Sequence, residues 1–182
     1  MYPKIIIEAI MRSPKTEIIS RVDKCTPKTP VLDVCCGSRM FWFDRKDPRA
    51  TFSDRREESH ILCDGRTLEI DPDVVADFTD LPFENNSFSL VVFDPPHMTS
   101  LGETSWMAKK YGRLTGDWRK MLEQGFSECF RVLKPNGTLI FKWNETDVTR
   151  KEVLALAPHP PLFGHTTGRQ AKTIWAAFIK PE

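Results

Sequence analysis

Short apolar runs recur along the chain and predict buried strands. Residues 31–36 form an apolar run with one internal acid, and shorter runs follow at 51–54, 73–77 and 89–93. A fifth run, at 138–143, has the most β-forming composition. Runs of this length bounded by turn residues are typical of strands buried in a sheet.

Other stretches show helical spacing. Apolar residues recur every three or four positions over 117–132, and 147–156 also favours a helix. Residues 3–24 predict a helix in two pieces, because Ser13-Pro14 suits the start of a new helix. A final antiparallel pair is expected at 162–165 and 173–179, and Lys-Pro-Asn-Gly at 134–137 predicts a turn.

Strands that alternate with helical or irregular stretches favour an α/β fold with a mainly parallel sheet. The 182 residues are expected to form one domain, with a helical segment at 1–30 before a core at 31–182. In such sheets, ligands bind beyond the carboxyl ends of the strands. The residues at those ends are therefore the candidate site.

Composition narrows the class of protein. The 26 Lys and Arg residues against 25 Asp and Glu residues exclude a strongly basic nucleic-acid protein, though not a local basic patch. No apolar run is long enough for a membrane span, and the N-terminus lacks a signal peptide's long apolar region, so we expect a cytoplasmic protein. The five cysteines include adjacent Cys35 and Cys36 in an apolar run, which favours reduced thiols.

The residues at the predicted strand ends could together form one ligand-binding site. Gly37 follows the first strand, where a glycine allows close approach of a ligand to the backbone. Asp54 ends the second strand, where one carboxylate can accept hydrogen bonds from both hydroxyls of a ribose. Asp77 and Phe78 end the third strand. There the carboxylate could accept a hydrogen bond from an adenine amine while the phenyl ring packs on the face of the purine. The fourth strand ends in Asp94-Pro95-Pro96-His97.

The order of these elements resembles the class I S-adenosylmethionine-dependent methyltransferases, from about residue 31 to residue 179. The segments that carry the resemblance are VLDVCCGS, the acid in TFSDRRE, VVADFTDLPF, VVFDPPH and RVLKPNGTLIFKW. The resemblance implies a Rossmann-like, seven-stranded sheet, mostly parallel with an antiparallel C-terminal strand and with helices on both faces. It also implies S-adenosylmethionine as cofactor, bound by Asp33, Cys35, Cys36, Gly37, Ser38, Asp54, Arg55, Asp77 and Phe78.

The Asp-Pro-Pro element resembles the branch that methylates exocyclic amines of nucleobases: adenine N6, cytosine N4, or guanine N2 in some RNA enzymes. The whole chain looks like small methyltransferases often carried on phages and prophages. This implies Asp94, Pro95, Pro96 and His97 as catalytic residues and nucleic acid as partner, with DNA favoured over RNA.

Two features depart from the family pattern. The loop after the first strand has the single Gly37 instead of two or three glycines, and residues 39–44 are too few for the usual long first helix. His97 stands where the family has Tyr, Phe or Trp. Its imidazole is still a planar ring that can stack on an extruded base.

The chemistry expected at this element is activation of a weak nucleophile. The lone pair of an exocyclic amine is delocalised into the base, and acceptors aimed at its hydrogens favour the pyramidal, nucleophilic form. The Asp94 carboxylate and the Pro95 carbonyl are the candidate acceptors. The protein would then mainly position the reactants and stabilise charge.

Basic residues near the site are candidates for nucleic-acid binding. Residues 98–116, which could close over a substrate, hold Lys109, Lys110 and Arg113, and the last hairpin adds Arg169 and Lys172. The alternative interpretation is that each of these basic residues is an ordinary surface charge in contact with solvent. Trp143, at the end of the fifth strand, is expected to pack against the terminal strands.

Other classes of protein fit less well. The His60-x-x-Cys63 spacing has no second pair to complete a zinc site, so no metal is expected. A Gly-x-Ser-x-Gly elbow is absent, which argues against a serine hydrolase. An RNA base methyltransferase and a non-catalytic binding module with a degenerate cofactor site remain open. The short chain favours low sequence specificity, recognition by residues 98–116, or help from a recognition subunit or a second copy.

Overall fold

The computed structural model describes residues 27–62, 64–102, 105–166 and 172–182. Most of the predicted N-terminal helical segment lies outside these residues. Among the helices described, none is both long and apolar enough to cross a membrane.

Nine strands and three helices make up the described chain. The strands are β1 (Val31–Asp33), β2 (Ala50–Asp54), β3 (Glu58–Ile61), β4 (Thr67–Ile70), β5 (Val74–Val75), β6 (Phe88–Phe93), β7 (Leu133–Asn144), β8 (Phe163–Thr166) and β9 (Thr173–Ile179). The helices are α1 (Trp106–Tyr111), α2 (Trp118–Val132) and α3 (Arg150–Leu154).

Seven strands form one sheet in the order β5-β2-β1-β6-β7-β9-β8, while β3 and β4 form a separate hairpin. Within the large sheet β9 runs antiparallel to the other six strands. The predicted mostly parallel sheet with an antiparallel C-terminal strand is therefore confirmed. Because β1 pairs with β2 on one side and with β6 on the other, the strand order reverses there and opens a crevice at the carboxyl ends.

Helix α2 covers one face of β6 and β7. Asp117 caps its start by accepting a hydrogen bond from the Lys120 amide at 3.2 Å. The buried Phe126 ring lies 5.4 Å from the Phe93 ring and 4.9 Å from the Phe141 ring, measured between centroids. The predicted helix at 117–132 is thus confirmed, and its apolar stripe builds the main core.

Several elements differ from the sequence prediction in their bounds. The helix expected at 147–156 is the shorter α3, because Thr149 and Glu152 form a capping box that fixes its start. The turn at 134–137 lies inside β7, where the pairing with β6 shifts from Phe88–Leu133 to Leu90–Thr138. The last strand, β9, has the predicted bounds.

The hairpin of β3 and β4 and the short helix α1 were not predicted. Both strands of the hairpin are largely polar, and only Leu68 and Ile70 are buried in β4. Such a half-exposed pair lacks the apolar run that marks a core strand. Between β1 and β2 the chain forms only turns, as the shortness of residues 39–44 predicts.

Gly125 on α2 tests how tightly this core is packed. A Cβ atom there would lie 2.7 Å from the Phe78 ring and 2.8 Å from the Phe93 ring. Gly125→Ala should therefore lower the free energy of unfolding by about 1–3 kcal/mol, although alanine normally stabilises a helix. Urea unfolding measures this, with exposed Gln124→Ala as the control. A stabilised Gly125→Ala variant would show that the two rings can move aside.

Candidate active site

A cleft of about 460 Å³ opens at the carboxyl ends of β1, β6 and β7. Its walls are formed by the loop after β1, the segment after β6, the end of β7 and part of α1. Its lining includes Cys35, Cys36, Gly37, Ser38, Phe41, Arg56, Asp94, Pro95, His97, Lys110, Tyr111, Lys142 and Trp143. The structure thus brings the loop after β1 and the Asp-Pro-Pro element together, as the strand-end argument predicts.

The loop after β1 is held against the end of β2. Gly37 has a φ of +48°, a left-handed conformation that glycine adopts without strain, and its amide donates to Asp54 Oδ2 at 3.0 Å. Burial raises the pKa of the Cys35 thiol and raises that of Cys36 to about 12. Both thiols are therefore protonated at neutral pH and serve as packing groups in the cleft wall.

Asp33, at the end of β1, is fully buried and incompletely paired. The indole of Trp42 donates to its Oδ2 at 2.7 Å, whereas its Oδ1 has no hydrogen-bond partner among the described residues. Burial raises the pKa of Asp33 to about 7, and the hydrogen bond from Trp42 opposes that rise. The orphaned oxygen is an acceptor that a cationic group near this strand end would satisfy.

Asp54 lies at the end of β2, and Arg56 takes up most of its acceptor capacity. The Arg56 amide and its Nε donate to Oδ1 at 3.0 and 3.1 Å, and its Nη2 lies 3.4 Å from Oδ2. With the Gly37 amide also on Oδ2, the roughly four lone-pair sites of the carboxylate are all engaged. A ribose diol would have to displace the Arg56 guanidinium to bind there.

The expected adenine side of the site is narrow. The space beside Asp54 and exposed Arg55 measures about 30 Å³. Phe78 borders it but is only 4% exposed, and its ring packs on Phe93 at 5.5 Å. Asp77 uses Oδ1 to accept from the amide and hydroxyl of Thr79, which fixes a turn after β5. This side shares Cys35, Arg56, Asp94 and Tyr111 with the open cleft, but it offers far less space.

The Asp-Pro-Pro element begins where β6 ends. The pairing of Phe93 with Phe141 sets Asp94 beside Lys142 on β7, and the ammonium of Lys142 contacts Asp94 Oδ2. Burial raises the pKa of the Asp94 carboxyl, and Lys142 opposes that rise. The Lys142 ammonium also lies 5.4 Å from the centre of the Phe41 ring and 5.7 Å from that of Trp175.

His97 sits in an aromatic corner of the cleft. Its ring centre is 6.3 Å from that of Tyr111 and 6.2 Å from that of Trp143, which it meets edge to face. Burial lowers the pKa of His97, and nearby Lys142 lowers it further, so the imidazole is neutral at pH 7. Trp143 is buried as predicted, and its indole donates to the Val148 carbonyl at 2.9 Å, although one edge still reaches the cleft.

The described residues of the segment after the Asp-Pro-Pro element, 98–102 and 105–116, pack next to that element. The Leu114 amide donates to the Met98 carbonyl at 2.9 Å and closes the base of the loop. Gly112, with a φ of +73°, lets the end of α1 approach Pro96, since a Cβ there would be 2.9 Å from the proline ring. Arg56 ties α1 to β2 by donating from Nη1 to the Lys109 carbonyl at 2.8 Å.

The predicted basic residues have different surroundings. Lys110 lines the cleft, Lys109 is exposed, and Arg113 donates to the Leu101 carbonyl at 3.1 Å, which holds the loop together. Lys172 is exposed next to Thr173, which lines the cleft. Arg169 lies outside the described residues.

Three residues that matter here were not singled out from the sequence: Trp42, Arg56 and Lys142. Each of them contacts an acidic residue. The acid lies 2 positions away in sequence for Arg56, 9 for Trp42 and 48 for Lys142. For Lys142, the alternation of β7 gave a signal, since a lysine in an apolar strand requires a partner. Of the His60-x-x-Cys63 pair considered above as part of a zinc site, His60 Nε2 lies 3.2 Å from Glu58. Cys63 lies outside the described residues.

In sequence, the chain matches no family model and no curated protein. In structure it is similar to the PH0226 protein from Pyrococcus horikoshii OT3, with 17% identity, a TM-score of 0.54, and coverage of 84% of this chain and 81% of that chain. It is also similar to the N-methyltransferase NodS from Bradyrhizobium japonicum WM9, with 12% identity, a TM-score of 0.51, and coverage of 85% and 86%. A third similar structure is the 4+2 cyclase SpnF, with 12% identity, a TM-score of 0.50, and coverage of 83% and 74%.

At these identities the likeness concerns the fold. The chain has the Rossmann-like fold of these structures, with the mostly parallel seven-stranded sheet that its sequence predicts. The cyclase shows that this fold also hosts a different reaction, so the chemistry has to be argued from the site.

The contact between Lys142 and Asp94 predicts a coupled titration. Replacing Lys142 by methionine keeps the stem but removes the charge that stabilises the carboxylate. The pKa of Asp94 should then rise above its value in the unaltered protein, since burial is no longer opposed. Carboxyl carbon chemical shifts followed against pH by NMR report this, with exposed Lys120→Met as the control. An unchanged Asp94 titration would mean that Lys142 does not act on this group in solution.

Proposed function

We propose that this protein is an S-adenosylmethionine-dependent methyltransferase that acts on an exocyclic amine of a nucleobase, with adenine N6 in DNA as the first target to test. The observation that carries the proposal is the shared cleft of the Asp94 carboxylate, the Pro95 segment and the neutral His97 ring. Acceptors beside a planar ring are what an amine on a flat base requires. The resemblance of the Asp-Pro-Pro element to the nucleobase branch and to phage-borne enzymes points the same way.

In this reaction, a nitrogen–carbon bond forms as the sulfonium–methyl bond breaks, and the amine then gives up one proton. The cofactor supplies an activated methyl group and leaves as the neutral thioether. Among the described residues, Lys142 alone donates to Asp94, at Oδ2, which leaves Oδ1 to accept from the amine. The same carboxylate is placed to receive the proton. The protein's task is then orientation and charge stabilisation.

Lys142 makes this assignment chemically consistent. A buried carboxyl without a partner would stay protonated further up the pH scale, where it would be a weaker acceptor and could not take up the amine's proton. The ammonium of Lys142 favours the ionised form of Asp94. His97, neutral and flanked by Tyr111 and Trp143, provides a surface for the base that stays uncharged at physiological pH.

The chemical character of the residues around the cleft suits S-adenosylmethionine. The open cleft beside Gly37 and Ser38 can take the amino-acid end, and the orphaned Oδ1 of Asp33 marks a place for a cation near this strand end. The adenosine end would need Asp54, whose acceptors Arg56 holds. Cofactor binding therefore requires Arg56 to move.

Two alternatives have distinct consequences. An RNA base methyltransferase would use the same residues and differs only in the polymer that accepts the labelled methyl group. A non-catalytic binding module is favoured only by the single-glycine loop and disfavoured by the presence of Asp33, Asp54, Asp77 and Asp94. Calorimetry with S-adenosylmethionine separates that module from both enzymes. Selection of the target sequence is assigned to residues 98–116, a second copy or a recognition subunit.

The Arg56 contact gives a prediction for cofactor affinity. Arg56→Gln removes the charge that occupies Asp54, so S-adenosylmethionine should bind about tenfold more tightly, the size of one charged hydrogen bond. Calorimetry measures the dissociation constant, circular dichroism checks folding, and exposed Arg119→Gln is the control. A folded Arg56→Gln variant that binds the cofactor more weakly would make Arg56 part of the cofactor site instead of its competitor.

Asp94 tests the proposed chemistry. Asp94→Ala removes the acceptor for the amine, so transfer of labelled methyl to DNA or RNA should fall at least about a hundredfold while cofactor affinity changes little. Asp94→Asn keeps one carbonyl acceptor and should retain residual activity. Exposed Asp80→Ala is the matched control, and chromatography of the digested product identifies the methylated base. Transfer at the unaltered rate by Asp94→Ala would refute the amino-methyltransferase proposal.

A further inference from the structure

A second groove adjoins the candidate active site. It measures about 410 Å³ and shares four lining residues with the cleft: Gly37, Ser38, Met40 and Lys110. Its other side is formed by residues 45–46 and by the β3–β4 hairpin, through Leu62, Arg66 and Thr67 among others. A chain lying in this groove would therefore lead directly into the cleft that holds Asp94.

The groove is predominantly cationic. Five basic residues and two acidic ones line it: Arg39, Arg45, Lys46, Arg66 and Lys110, with Glu69 and Asp71. The side chains of Arg45 and Lys46 are exposed, and Arg66 pairs with Asp64 at 2.6 Å. This local excess of positive charge lies on a chain whose net charge is only +1. The lining of the groove is therefore more positive than the chain as a whole, with a formal excess of three positive charges.

Arg39 fixes the two sides of the groove relative to each other. Its Nη1 donates to the Arg45 carbonyl at 2.7 Å and its Nη2 to the Asp71 carbonyl at 2.6 Å. The guanidinium also lies 3.9 Å from the centre of the Phe52 ring. The backbone of Arg39 has a φ of +55°, a costly conformation that these contacts hold in place. The groove is therefore formed before any ligand arrives, which reduces the ordering cost of binding.

Two exposed aromatic rings lie close in sequence to these basic residues, although neither ring is part of the groove lining. Phe43, two residues before Arg45, is fully exposed, and Trp106 on α1 is 52% exposed. The Lys110 ammonium lies 5.8 Å from the centre of the Trp106 ring. Large apolar rings left in water beside cations suit unpaired bases, which stack on the rings while their phosphates meet the cations.

We propose that this groove binds the single-stranded nucleic acid that flanks the target base, with Arg45, Lys46 and Lys110 contacting phosphates and Phe43 stacking on a base. The proposal rests on the proposed function for the identity of the cleft's occupant. An acidic peptide would satisfy the cations, but it would leave the exposed rings without a partner. A continuous duplex presents no open base face to Phe43.

The test is binding, measured without cofactor, so that it does not depend on methyl transfer. Fluorescence anisotropy with labelled single-stranded DNA, single-stranded RNA and duplex DNA is recorded over a range of salt concentrations. The charge variant replaces Arg45, Lys46 and Lys110 by glutamine. Its matched control replaces three exposed lysines elsewhere, Lys120, Lys134 and Lys151, by glutamine. Phe43→Ala tests stacking separately.

We expect the unaltered protein and the control to bind single strands with the same salt dependence. In the charge variant, the slope of log affinity against log salt should become shallower by about 2, since each phosphate that a cation neutralises on a single strand accounts for about 0.7 of the slope. Phe43→Ala should weaken binding roughly tenfold at every salt concentration without changing that slope.

The outcomes separate this proposal from the proposed function. If the unaltered protein bound neither single strand, or if the charge variant and its control bound equally well, the proposal that the groove binds nucleic acid would be overturned. Groove-dependent binding of duplex DNA alone would overturn the single-strand assignment. Groove-dependent binding of single strands with no methyl transfer would support the groove while refuting the methyltransferase proposal.

Discussion

The pairing of β1 with β2 on one side and β6 on the other is the constraint on which the site depends. The registers place Asp33 beside Phe52 and Val92, so the chain leaves β1 at the level where β2 and β6 are about to end. Asp54 and Asp94 therefore emerge on either side of the loop that contains Gly37. Any slip of this three-residue strand would separate the groups that the cleft brings together.

This arrangement concentrates negative charge, and the surrounding residues compensate for it unequally. Arg56 pairs with Asp54 and Lys142 pairs with Asp94, whereas among the described residues buried Asp33 has uncharged hydrogen-bond donors and no cation partner. The pKa of Asp33 is accordingly raised to about 7, the result expected when burial disfavours a charge that no cation offsets. At this strand end, Asp33 therefore differs from Asp54, whose charge Arg56 already offsets.

The fold was largely predictable because its signals are local. The apolar runs of β6 and β9 and the stripe of α2 identify core elements without knowledge of their neighbours. The polar β3–β4 hairpin gives no such signal, and it was missed. In the site, the strand-end argument brought Gly37 and Asp94 into one cleft. It did not foresee that Lys142 and Arg56 would pair with Asp94 and Asp54, because spacing in sequence does not show which cation reaches which acid.

Arg56 connects parts of the site that would otherwise be separate. Its guanidinium holds Asp54 at the end of β2 and the Lys109 carbonyl at the end of α1, while the adjacent Lys110 lines both the cleft and the groove. A ligand that replaces Arg56 at Asp54 leaves α1 held to β2 by one hydrogen bond fewer. Two sites coupled through one side chain must influence each other equally in both directions. A ligand that displaced Arg56 from Asp54 and a second ligand that contacted Lys110 would then influence each other's affinity through the hydrogen bonds of this single arginine.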